Sequence, residues 1–432
     1  MRASDRWASM LTILALGCAG PGAADVGVDT GRDAGVDAGR DAGRGGGRDA
    51  GQDADLDAGL LWLPLSGTPT GCRLKMASAD YVSARTWDIV PCVGTAGCRR
   101  LVAPPPVSGQ NPFRVEEGHG IHDGARGLVA IFSDDDVHRE EWIIDDSGHA
   151  IAGFRTSAIS AGGSDSCFQS DFDVSASHFA FDLQHIVDPD GIANYLYRGA
   201  LGSPPTLVGD LRAAFTGGWE QEIRLDGLRT AAWMSFQVVQ AAETDGTIAP
   251  VTPDSASCAI ADVVGDAIFV ECSTPTNVHV QLPGGALTPM FDHGINFGLD
   301  SDGTDMVWAR YTLLDGGVMT ELWAAPHTSA PAAVVERLVA NVPAGTITGP
   351  YDLRVGFGYV ALLEQSDRMG IYRLADGARA EIHSPAGQYW SSTVQYVGPE
   401  EIALTSSLPR QDPLTDAQLM FVRIDSLTFV RP

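Results

Sequence analysis

The segment "GHGIHDG" places His119, His122 and Asp123 on a glycine-rich loop. Imidazole and carboxylate at this spacing could hold a transition metal if another loop supplied a further ligand, although two His on such a loop also serve as solvated turn residues. A second segment, "DSDGTD", sets Asp300, Asp302 and Asp305 around Gly303 with the opening spacing of a calcium loop. The twelfth position, where that loop needs Glu, is Tyr311, so the EF-hand motif fails. The plainer reading is a turn in which Asp caps backbone N–H groups. No cofactor is expected, a structural calcium ion being the one exception this pattern admits. A third segment, "FSDDDVHREEW", clusters Asp134, Asp135, Asp136, Glu140 and Glu141. Two carboxylates with split pKa values could do acid–base work on a glycoside, but adjacent acids between strands read first as a solvated tip. The chain has no G-x-S-x-G elbow, H-E-x-x-H, Walker loop or dinucleotide fingerprint.

Cysteine use points to the compartment. Apart from Cys18, six cysteines remain: Cys72, Cys92, Cys98, Cys167, Cys258 and Cys272. An even number in an exported chain implies three disulfides. Cys92 and Cys98 bracket a tight turn, and Cys258 and Cys272 flank two strands meeting at Gly265-Asp266. Those pairs, with Cys72 and Cys167 left to join, are one of fifteen arrangements open to six cysteines. Zinc is the rival use, but no C-x₂-C pair exists.

The head of the chain carries Arg2 and Arg6, an uncharged run from Trp7 to Gly17, and Cys18. At 1.5 Å per residue that run reaches only about half of a ~30 Å hydrocarbon core, so it reads as a signal peptide and not a spanning helix. "LALGC" resembles a bacterial lipobox, in which the cysteine is diacylated and the signal is cut just before it. Ala15 and Leu16 stand where Leu and then Ala or Ser are commoner. The resemblance implies residues 1–17 as a lipoprotein signal, Cys18 as the lipidated residue, and a lipid-anchored domain exported from a Gram-negative bacterium. Ala19 after the cysteine, in place of Asp, implies the outer membrane or cell surface. An ordinary cleaved signal is the alternative. Residues 18–59 have almost no large side chains, and from Asp25 to Gly59 they repeat Asp-Ala-Gly with period four. They cannot bury enough surface to offset ordering entropy and read as a disordered tether.

Residues 60–432 position the segments above. Short runs rich in Val, Ile, Phe, Tyr and Trp end at Gly, Pro, Asp or Asn, which describes an all-β body. "EEWIIDDSGHAIAGF", "NYLYRGALGSPPTLV", "ELWAAPHTSAPAAVV" and "GIYRLADGARAEIH" each read as an aromatic strand, a small-residue turn and a second strand. Marker positions near Ile89, Trp142, Tyr197, Gln237, Val280, Trp323, Tyr372 and Val422 recur every 40 to 55 residues. A four-stranded propeller blade takes about 40–50 residues, so the expectation is a seven- to eight-bladed β-propeller, with two to three β-sandwich domains as the alternative. "DSDGTDMVWARYTLLDGGVMTELWAAP" resembles a TolB-type or YncE-type blade, in which Asp-Gly precedes a strand and a later strand carries an aromatic. That resemblance covers one or two blades and implies architecture alone.

The net charge of −27 repels phosphate backbones and argues against nucleic-acid partners. The expectation is a binding or scaffolding module, attached to the membrane through its lipid and meeting protein or glycan partners on its loop faces. The alternative is an exported glycan or ester hydrolase acting in the propeller funnel.

Overall fold

The computed structural model describes residues 61–431 except 93–94, 103–113, 116–119, 135–137, 159–165, 188–190, 212–219, 227–228, 235–237, 243–246, 253–257, 274–275, 292–294, 315–316, 343–352, 366, 385–388 and 408–417. The signal segment, Cys18 and the tether therefore lie outside the described residues, as do His119, Asp135, Asp136 and Gln237.

The first part of the body supplies β1 (Trp62–Pro64), β2 (Cys72–Ala77), a short helix α1 (Ala79–Ala84), β3 (Asp88–Pro91), β4 (Cys98–Val102), β5 (Arg114–Val115), β6 (Ile121–His122), β7 (Gly127–Asp134), β8 (His138–Asp145) and β9 (Ala150–Ala158). Five four-stranded meanders follow. They are β10 (Ser166–Val174), β11 (His178–Val187), β12 (Gly191–Ala200) and β13 (Thr206–Asp210), then β14 (Glu220–Asp226), β15 (Arg229–Met234), β16 (Val238–Ala242) and β17 (Ile248–Pro250). Next come β18 (Cys258–Val264), β19 (Ala267–Ser273), β20 (Thr276–Gln281) and β21 (Thr288–Pro289), then β22 (Ile295–Ser301), β23 (Asp305–Leu314), β24 (Gly317–Pro326) and β25 (Arg337–Asn341). The fifth is β26 (Leu353–Gly356), β27 (Tyr359–Gln365), β28 (Arg368–Arg373) and β29 (Arg379–His383). The chain ends with β30 (Tyr389–Val397), β31 (Glu401–Ser407) and β32 (Gln418–Arg423).

Each meander opens on a strand that packs against the opening strand of the next, from β10 through β14, β18, β22 and β26 to β30, and β30 reaches β6. Sheets arranged radially in this way form a β-propeller. The sandwich alternative is overturned, because the body from Asp57 to Pro432 is one compact unit whose sheets follow one another around a ring.

The ring closes by joining the two ends of the body. β32 pairs antiparallel with β4, with Met420 opposite Arg100 and Val422 opposite Cys98, giving a five-stranded sheet β3-β4-β32-β31-β30. Closure protects edges that would otherwise template aggregation. The remaining sheet is a seven-stranded composite, β1-β2-β9-β8-β7-β5 with β6 also on β7. Seven or eight like units are expected from the repeat; six sheets of uniform four- or five-strand build and one composite are found. The markers at Ile89 and Val422, counted apart along the chain, lie in the same closing sheet.

Packing explains the recurring aromatic. Trp142, Tyr197 and Tyr372 are fully buried between neighbouring sheets. Tyr197 stacks on Phe181 at 5.3 Å, within a cluster that also holds Phe154, Phe172 and Phe179. Trp142 meets Trp62 and Trp87 edge-on, each at 5.6 Å. Offset and edge-on rings add about 0.5–1.5 kcal/mol per pair beyond the area they bury. One disulfide joins two sheets, Cys72–Cys167 from β2 to β10, and two lie within a sheet, Cys92–Cys98 at the β3–β4 turn and Cys258–Cys272 across β18 and β19.

Candidate functional site

Carboxylates of the inner strands reach across to the next sheet. Asp171 and Asp173 on β10 accept the backbone N–H groups of Ile223 and Leu225 on β14, the latter at 2.6 Å. Asp262 on β18 accepts from Ser301 at 2.8 Å, and Asp300 on β22 accepts from Val355 on β26 at 2.6 Å. At the strand ends the same relation recurs: Asp226 accepts from Gly265 at 2.7 Å and Asp302 from Phe357 at 3.0 Å. Glu271 on β19 adds a further link, to Gly298 at 2.9 Å. Each bond satisfies a main-chain donor of the neighbouring sheet, on its inner strand or on the turn that follows it.

Local backbone geometry aims these side chains. The pairing register shifts between Gln169 and Phe172, between Ile260 and Asp262, and between Phe297 and Asp300. A bulge places an extra residue on one strand and turns the following side chain out of the simple alternation. The acids therefore leave an apolar strand and project toward the neighbouring sheet.

Charge converges with these bonds. Arg354 donates to Asp300 at 2.6 Å, and Arg224 pairs with Glu222. Both guanidinium groups act on Asp173 and on Asp300, so side chains from four inner strands share one electrostatic centre. Burial nevertheless dominates there. It pushes Asp173 up to about 7 against the opposing pull of Arg224, the Leu225 N–H and Arg354. Burial also pushes Glu271 up to about 7. Asp262 is raised well above the usual carboxylate range by burial and by the neighbouring charge of Asp300. Burial raises Asp300 as well, opposed chiefly by Arg354.

The residues singled out in the sequence are used differently. His122 accepts the Gly124 N–H on Nδ1 at 3.0 Å, and its ring stands edge-on to Phe357 at 5.5 Å and to Tyr396 at 5.4 Å. Burial lowers its pKa. Asp123 accepts the N–H groups of Ala125 at 2.8 Å and Arg126 at 2.9 Å. Partial burial opposes its ionisation, but those two bonds hold its pKa below the usual value. Asp302 makes the equivalent turn, accepting from Thr304 and Asp305 at 2.8 Å each. The oxygens of Asp300 and Asp302 thus accept from protein donors. Asp305 lies at the start of β23, its pKa raised by burial and then by Asp302.

Within "FSDDDVHREEW", Glu141 departs from a solvated tip: it is 1% exposed and accepts from Arg139 at 2.7 Å. Glu140 faces Arg155 at 3.7 Å. Nothing is described of the Asp134 side chain. Among the described residues, one group of three metal-capable side chains converges within 4.8 Å: Cys72, Cys167 and His185.

Sequence reasoning missed Asp171, Asp173, Arg224, Asp262, Glu271 and Arg354. A signal was present in "FDV", "ADV" and "LDS", where one acid interrupts a strand that otherwise reads as fully buried.

The Asp123-Gly124 and Asp302-Gly303 turns lie on one face of the ring, beside Phe357. Phe357 is the one described residue other than glycine with positive φ, at 50°, and the residue is 43% exposed. Such strain in a bulky residue costs about 1–2 kcal/mol and is concentrated at functional surfaces.

No protein-family model matches the chain, and no curated protein matches it. Solved structures with a similar chain course include the β-propeller domain of the Trilobed protease from Pyrococcus furiosus. That domain is 11% identical over 73% of this chain and 95% of its own, with a TM-score of 0.46. YCF48 from Cyanidioschyzon merolae is 11% identical over 76% of this chain and 99% of its own, at 0.40. BamB from Moraxella catarrhalis is 11% identical over 84% and 100%, at 0.36. The propeller assignment itself rests on the strand order and the closing sheet.

Proposed function

We propose that this chain is an exported β-propeller, lipid-anchored through Cys18 at the outer membrane or cell surface, that binds or scaffolds a protein or glycan partner on its turn face. One observation supports binding over hydrolysis most directly. The central carboxylates at 173, 262 and 300 hold the N–H groups of the next sheet, an arrangement that stiffens the ring and engages the groups a hydrolase would need free. A rigid ring then presents loops as its variable surface, with Phe357 as an exposed anchor on that face.

The experiment compares intact chain and Phe357→Asn for retention of solubilised envelope proteins and of an arrayed set of bacterial glycans. The expected result is saturable binding that falls at least tenfold in the variant with the melting temperature held. Turnover of a glycoside or ester that disappears in Asp173→Asn would establish the hydrolase instead. Mass spectrometry of the mature N-terminus is expected to find acylated Cys18; an unmodified terminus elsewhere removes the anchor.

A further inference from the structure

We propose that Cys72, Cys167 and His185 form a masked copper(I) site, opened when a dithiol or phosphine reductant cleaves the Cys72–Cys167 disulfide. The two sulfurs and an imidazole nitrogen lie within 4.8 Å of one another, and all three residues are buried. Three strands bring them together: β2 carries Cys72, while Cys167 on β10 is directly opposite His185 on β11. His185 is 6% exposed, and its Nε2 has no hydrogen-bond partner among the described residues. A buried imidazole nitrogen without a partner loses hydration and gains nothing in return, unless it serves a ligand.

The space in front of that nitrogen is kept open by Gly71. Its φ is +100°, and a Cβ there would lie 2.9 Å from both Cε1 and Nε2 of His185. Two thiolates and one imidazole are soft donors suited to copper(I). No fourth His, Cys, Asp or Glu joins the group among the described residues, whereas a closed zinc site takes four ligands.

The chemistry balances with a named reductant. A dithiol gives up two hydrogens and closes into its own disulfide, or a phosphine takes the oxygen of a water molecule and leaves as the phosphine oxide while that water's two hydrogens pass to sulfur; either way the Cys72–Cys167 bond breaks and two S–H groups form. Copper(I) then displaces both thiol protons to solvent as two Cu–S bonds form, and the Nε2 lone pair supplies the third. In oxidising conditions the disulfide holds the sulfurs to each other and the site is masked.

The test uses the full chain, incubated anaerobically with a phosphine and offered copper(I) against a competing chelator. Thiols are counted, circular dichroism checks the fold, and copper retained after gel filtration is measured. Reduced wild type is expected to retain one more copper per chain than reduced Cys72→Ser/Cys167→Ser, and to hold it at least tenfold more tightly against the chelator than reduced His185→Gln, the other two cysteine pairs being common to all three. X-ray absorption of the wild-type complex is expected to show one imidazole and two sulfurs. Equal copper in wild type and the double serine variant, unchanged affinity in His185→Gln, a sulfur-only spectrum, or a Cys72–Cys167 bond that stays closed in the folded protein each overturns the proposal.

Discussion

Asp300 and Asp302 are two residues apart in one turn-and-strand segment, yet they work in opposite settings. Asp302 is exposed and organises the turn, accepting from Thr304, Asp305 and Phe357. Asp300 is buried, faces Arg354, and holds Val355 of the next sheet. Both oxygen sets are occupied by protein donors, but only the buried one must also offset the loss of water around a charge. The difference teaches that residue type says little in this fold until depth along the inner strand is known. At the strand end an aspartate shapes a turn and reaches the next sheet from solvent; two residues inward the link to the next sheet is buried and set against a guanidinium.

The largest effect should come from the buried member. Asp300→Ala removes the acceptor for Val355 and leaves Arg354 buried without its partner, so urea unfolding should show a loss of about 3–5 kcal/mol. A loss near 1 kcal/mol would erase the contrast between the two aspartates.

Next in size is the response to pH. Asp173 and Glu271 have folded-state values of about 7, against 3.8 and 4.5 for the ordinary groups. Raised carboxylate values mean that folding takes up protons between those limits. The stability they contribute is complete below the ordinary values and is lost as pH rises through about 7. Unfolding free energy should therefore fall by about 2–3 kcal/mol for each group from pH 5 to pH 8. Asp173→Asn, which keeps an oxygen for Leu225, should flatten part of that slope; an unchanged slope would mean the charge is tolerated at that depth.

Asp302→Ala should cost only about 1 kcal/mol, the usual loss when a side chain that accepts turn N–H groups is removed. Smallest of all is Phe357→Asn, expected to change stability by less than about 0.5 kcal/mol because Asn tolerates positive φ and the lost ring is partly exposed. A large destabilisation at Phe357 would make it a packing residue and weaken its reading as a binding anchor.

Much of the architecture was legible in the sequence. Strand-and-turn runs, the aromatic hairpins at Trp142, Tyr197 and Tyr372, and the Asp-Gly turns at Asp123 and Asp302 all follow from local propensity and period. The even cysteine count pointed to disulfides, which are present. The joining of β4 to β32 was not legible, because pairing across more than 300 residues leaves no local signal. The inter-sheet carboxylates were missed for a related reason. Bulges before Asp262 and Asp300 break the period-two alternation that sequence reading relies on, so a buried clamp and a solvated acid look alike in a linear text. Glu141 was hidden in the same way, inside an acidic run whose other members suggested solvent.

The most direct measurement of the central claim is the unfolding free energy of Asp300→Asn beside wild type, with glycoside and ester turnover assayed on the same samples. The account predicts a clear loss of stability, smaller than for Asp300→Ala, and no turnover in either protein. Unchanged stability together with wild-type turnover that vanishes in the variant would contradict it.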